Sequence, residues 1–215
     1  MTDSQSGLLL GGVVLGLSIA APIGPVNIAM IHRGLRDGFA GAFLLGVGST
    51  AADLIYILLA YAGADPLSHQ AWARVTLFSA GAVVMGWLGF QAIRAALAPA
   101  GPDGGSQSAA LDRRRSAFVS GFCITIVNPM TIAFWLGILS AALAARERAS
   151  MGLEILYIAS LAAGCLLWVL GLACALHLGR RVARGPALKV VSALAGLVLI
   201  GFGAQFAWKA LREVS

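Results

Sequence analysis

The stretch "AAPIGPVNIAM", residues 20–30, lies inside an apolar run that extends from about residue 7 to about residue 31. Such a run is long enough to cross a bilayer, since a spanning helix takes about 20 mostly apolar residues. Yet it carries Pro22, Gly24, Pro25 and Asn27 where a membrane helix should be most regular. Proline removes a backbone donor and clashes with the carbonyl one turn back. In lipid the freed carbonyl is costly, and it is tolerated only inside protein or beside a wet cavity. The stretch therefore predicts a helix broken on purpose, with its polar edges facing the protein interior.

The rest of the chain supports a membrane setting. Of 215 residues, 59% are hydrophobic and 11% charged, and the mean hydropathy is +0.87. Six runs are long enough to span, at roughly 7–31, 39–63, 72–98, 117–145, 152–178 and 187–210. This is the pattern of an all-α integral membrane protein with the lipid bilayer as its solvent. The opening "MTDSQSGLLL" has no basic residue before the apolar run, so that run reads as a retained first helix rather than a signal peptide. The net charge is +6, but the basic residues fall in short clusters between apolar runs. That is how membrane proteins hold cytoplasmic loops, and no water-exposed basic stripe remains for nucleic acid. Cys123, Cys165 and Cys174 sit in apolar runs with neither CxxC nor zinc spacing, and read as buried, inert thiols.

The connection "PAGPDGGSQSAALDRRR" (99–115) is rich in Gly, Pro, Ser and Ala. It reads as a flexible cytoplasmic loop, 99–116, between a three-helix half at 1–98 and another at 117–215. Loops 1, 3 and 5 hold Arg33, Arg36, Arg94, Arg113, Arg114, Arg115, Arg180, Arg181, Arg184 and Lys189. The other side holds Arg74, Arg146, Arg148, Lys209 and Arg212. The positive-inside rule then puts both termini in the periplasm.

The halves resemble each other. "RVTLFSAGAVVMGWLGFQAIR" (74–94) lies over "KVVSALAGLVLIGFGAQFAWK" (189–209), matching Gly81 with Gly196, Gly86 with Gly201, and a basic residue at each end. "GPVNIAM" (24–30) lies over "NPMTIAF" (128–134), matching Pro25 with Pro129. Three spans per half make this an inverted repeat, with helices 1 and 4 broken at Gly-Pro and Asn-Pro. In many secondary transporters such a pair of interrupted helices builds the substrate site near the midplane. Gly24, Pro25, Asn27, Asn128 and Pro129 are the candidates for that site. A helix N-terminus after a break suits a carboxylate, and unwound carbonyls suit an ammonium; an amino acid carries both.

Asp53 stands about fourteen residues into the second span, where a carboxylate is expensive and marks function by default. It can carry a proton, hold an ammonium, or both. Helical spacing sets Gly46, Ser49, Tyr56 and Ala60 on its face. In the fourth span Asn128, Thr131 and Trp135 share a face, and in the fifth Gly164, Cys165 and Trp168 do. Gln91 and Gln205 are weaker candidates, Trp87 and Trp208 read as interface anchors, and His177 as a helix cap. The chain has no GxSxG, HExxH or Walker loop, so no enzyme and no ATP site is expected. No cofactor is expected, and three His with one deep carboxylate make a poor metal cage.

"PIGPVNIAMIHRGLRDGFAGAFLLGVGSTAADLIY" (22–56), with Gly24–Pro25, Arg33–Gly34, Gly38, Gly41, Gly46 and Asp53, resembles the N-terminal signature of the lysine/homoserine exporter (LysE/RhtB) family. "NPMTIAFWLG" (128–137) resembles that family's Asn-Pro motif, with Met130 where lysine is common. The resemblance implies an inner-membrane exporter of amino acids or their derivatives, proton-coupled and homodimeric. The alternative is export of divalent metal ions, as in the wider superfamily.

Overall fold

The computed structural model describes residues 3–22, 24–61, 71–97, 107–132, 135, 150–179 and 186–214, and among them the regular elements are all helical. They are α1 (Asp3–Ala20), α2 (Pro25–Asp37), α3 (Phe39–Tyr61), α4 (Ala71–Leu97), α5 (Gln107–Ile126), α6 (Pro129–Ile132), α7 (Met151–Gly179) and α8 (Pro186–Val214).

Both expected breaks are present. α1 ends at Ala20 and α2 begins at Pro25, where proline's fixed φ and missing N–H suit the first helical turn. The two segments meet at 77°, so the first apolar run is one bent pair rather than a straight helix. α5 ends at Ile126 and α6 resumes at Pro129. α3, α4, α7 and α8 each contain a stretch long and apolar enough to span a membrane, and the bent α1–α2 pair meets the same test of length and composition only when its two segments are taken together. The fourth expected span runs through α5 and α6, and its remainder, 133–134 and 136–149, lies outside the described residues. Of the connection expected at 99–116, the part from Gln107 onward is the start of α5, and 98–106 lie outside the described residues, as do Arg146, Arg148, Arg180, Arg181 and Arg184.

α2 turns sharply into α3 at Gly38, whose φ of 77° is left-handed and whose N–H closes on the Gly34 carbonyl at 3.0 Å. A side chain there would be strained. α3 is the central helix, with half of its spanning stretch buried against 22% for that of α4. It packs on α2, α5 and α7, while α1 lies along α7 and α4 along α8.

Glycines let these backbones touch. A methyl group at Gly121 of α5 would stand 1.9 Å from the Leu45 carbonyl oxygen of α3, and one at Gly48 of α3 would stand 2.1 Å from that of Phe118. The α1–α7 contact has the same form: a methyl group at Gly16 would stand 2.1 Å from the Leu161 carbonyl oxygen, and one at Gly164 would stand 2.2 Å from that of Val13. Gly89 of α4 and Gly196 of α8 face each other, and a methyl group on either would stand 2.7 Å from the other's carbonyl oxygen. The core between the helices holds Met30, Leu45, Met85, Ile124 and Phe206. A second cluster holds Tyr56, Ile57, Ile132 and Trp135. Outward faces stay apolar, as at Val83, Trp87, Leu194, Leu197 and Trp208, which suits lipid rather than water.

Candidate functional site

The broken ends and the middle of α3 enclose one cavity of about 510 Å³. Nine of the eleven candidate residues line it: Gly24, Pro25, Asn27, Ser49, Asp53, Asn128, Thr131, Trp135 and Trp168; Cys165, on the expected face of the fifth span, lines it too. Such a volume is typical of a small-molecule pocket.

Asn27 explains how the first break survives. Its amide Nδ2 donates to the carbonyls of Ala20 (2.9 Å) and Pro22 (2.7 Å), with a longer approach to Ala21 (3.4 Å). These are carbonyls that a continuous helix would have paired. The amide's oxygen accepts from the Trp168 indole N–H at 3.2 Å. Asn27 therefore ties α1, α2 and α7 together, and its side chain is a scaffold of the cavity as much as part of its wall.

The second break is closed differently. The Asn128 N–H turns to the Thr125 carbonyl at 3.1 Å, and the Tyr56 hydroxyl donates to the carbonyl of Ile126, the last residue of α5. Tyr56 thus points past the cavity, away from the lining role expected of it. Pro129 opens α6, and its side chain lies outside what is described. Of the other residues on the expected faces, Gly46 packs against Val169 and Gly164 against α1, while Ala60 lies outside what is described.

Asp53 Oδ1 accepts from the Trp135 indole N–H at 2.8 Å. Its other oxygen has no hydrogen-bond donor among the described residues. Asp53 is also the one carboxylate lining the cavity among them. Beside it the Thr125 hydroxyl donates to Ser49 Oγ at 2.7 Å, joining α5 to α3. At the opposite chemical pole, α2 starts at the cavity wall from Gly24, an N-cap without a side-chain acceptor. The first N–H groups of any helix lack intrahelical partners and carry partial positive charge.

Sequence reasoning missed Ser18, Thr50 and Thr125 as lining residues. Thr125 was findable: it precedes Asn128 by one turn and shares its face. Ser18 and Thr50 spend their hydroxyls on carbonyls one turn back, at 2.8 and 3.1 Å. Gln91 and Gln205 do not line this cavity, and His177 is exposed at the end of α7. Among the described residues, no group of three or more His, Cys, Asp or Glu side chains gathers as a metal site would.

Residues 17–210 match the family model described as LysE type translocator. The chain is 30% identical over 208 residues to the "Putative amino acid efflux protein YcgF" of Bacillus subtilis, covering 96% of this chain and 98% of that protein. It is 33% identical over 139 residues to the "Chemotactic transduction protein ChpE" of Pseudomonas aeruginosa, covering 64% of this chain and 65% of that protein. No solved structure matches the chain. The chain belongs to the LysE type translocator family, as a multi-pass membrane transporter and not an enzyme.

Proposed function

We propose that the protein exports amino acids or small amino-acid derivatives from the cytoplasm across the inner membrane, driven by proton antiport. The observation that carries this reading is the pairing of poles in one cavity: the uncapped N-terminus of α2 and the carboxylate of Asp53. The first suits a carboxylate and the second an ammonium. The efflux name of the Bacillus subtilis relative supports the same direction. A proton taken up by Asp53 from the periplasm removes the charge that holds the ammonium, so solute leaves outward. Loss of that proton to the cytoplasm restores the site.

The domain reading is two inverted three-helix repeats, 1–98 and 117–215, joined by 99–116. The glycine contacts support it. Gly16 on Leu161 and Gly164 on Val13 have the counterparts Gly121 on Leu45 and Gly48 on Phe118. Gly16 then corresponds to Gly121, while Pro25 corresponds to Pro129; the register slips by one residue at the break. Both termini lie in the periplasm on the count of basic residues.

Proteoliposomes with an acidic lumen test the mechanism. Antiport moves protons out and drives a labelled amino acid in. No accumulation across a panel of amino acids, or accumulation untouched by Asp53→Asn, would sink the reading.

A further inference from the structure

The solute cavity uses the N-terminal half of α2. A second cavity, of about 160 Å³, lies along the C-terminal half of the same helix. Its polar lining is His32, Arg33 and Arg36 of α2, Gln91 of α4, and Ser116 and Ser120 of α5. Leu45 and Ile124 line it too, while Met30, fully buried beside them in the core, lines the larger cavity.

Two observations point to a ligand. His32 is only 9% exposed, and its Nε2 is buried with no hydrogen-bond partner among the described residues. A buried polar atom left unpaired is rare and calls for an occupant. The charges are also unbalanced. Arg33 gives Nη1 to Asp37 Oδ2 at 3.1 Å and Nη2 to Ser116 Oγ at 3.0 Å. Arg36 Nε stands 3.8 Å from Asp37 Oδ1, too far for a hydrogen bond. Two guanidinium groups against one carboxylate leave a net positive charge beside a lining with no acidic side chain. Gln91 and the Ser116 hydroxyl add neutral donors, while Ser120 donates its own to the Ser116 carbonyl at 2.7 Å.

We propose that this second cavity is a small-anion site, taking a carboxylate or a halide, with Arg36 as its charged anchor and the His32 Nε2–H as its buried donor. Its size suits a monoanion rather than a whole long-chain amino acid. The proposal does not rest on the export reading, because binding alone tests it.

The full chain in detergent is held in sodium HEPES, whose anion is too bulky for the site, and titrated with sodium acetate or sodium chloride while its unfolding midpoint is followed. A saturable rise is expected for at least one of them. Acetate alone marks a carboxylate site and chloride alone a halide site. Arg36→Gln should raise the half-saturating concentration at least about tenfold, the loss of one charge-assisted contact. Arg36 is half-exposed and does not line the larger cavity, so its replacement leaves folding and any acetate bound there intact. Arg113→Gln, on the exposed first half of α5, should change nothing. His32→Gln should also weaken saturation; if it fails to fold, Arg36→Gln carries the test. A rise that never saturates, or one identical in Arg36→Gln, overturns the proposal.

Discussion

Asn27 shows what one side chain must do when a helix is cut inside a membrane. Its two amide hydrogens are shared among carbonyls at the end of α1, and its oxygen holds Trp168. Asn27→Ala leaves buried acceptors and an indole N–H unpaired, at about 1–3 kcal/mol for each orphaned group. The expected outcome is a lower unfolding midpoint in detergent together with lost transport. Asn27→Asp should be worse than Ala, because it sets a carboxylate against those carbonyls. Asp53→Asn is different in kind. The amide oxygen can still accept from Trp135, so the midpoint should hold while gradient-driven uptake falls at least about tenfold, the loss of a buried charge contact. A parallel loss of both would move Asp53 from coupling to scaffolding.

At the scale of elements, helices approach each other through backbone rather than side chains. Overpacking a close contact costs about 1–3 kcal/mol, and Gly121→Ala and Gly164→Ala each force a methyl group onto a carbonyl oxygen of a neighbouring helix. Both variants should lower the unfolding midpoint, and Gly86→Ala should not, since open space surrounds that position. Tyr56→Phe tests the second break. Removing the hydroxyl orphans the Ile126 carbonyl, with an expected cost of about 1–3 kcal/mol. A midpoint equal to wild type would mean that the break is held by other contacts.

Across the whole molecule, the two breaks meet in one cavity because α3 passes between them. α3 brings Ser49 to Thr125 of α5, Asp53 to Trp135, and Tyr56 to the end of α5. Its flank on α7 sets Trp168 against Asn27. The orientation proposed from the count of basic residues is one that reporter fusions can check. Alkaline phosphatase joined at either terminus should be active, as it folds only in the periplasm. A cytoplasmic reporter inserted at about residue 103 should be active as well. The opposite pattern would reverse the direction assigned to transport.

The sequence by itself determined the membrane class, the places of both breaks and nine of the residues in the cavity wall. Those follow from local chemistry: apolar length, the missing proline N–H, and the cost of a charge in lipid. Nine of the eleven candidate residues line that cavity because the matched breaks, helical spacing and depth already select them. Only the tertiary structure decided what the polar groups do. Asn27 and Tyr56 look like ligand-binding groups in the sequence, but each first satisfies carbonyls freed by a break, and spacing cannot show which helix a side chain will reach. The second cavity was illegible for the same reason. His32 stands out only once α2, α4 and α5 pack around it and leave its Nε2 without a partner among the described residues.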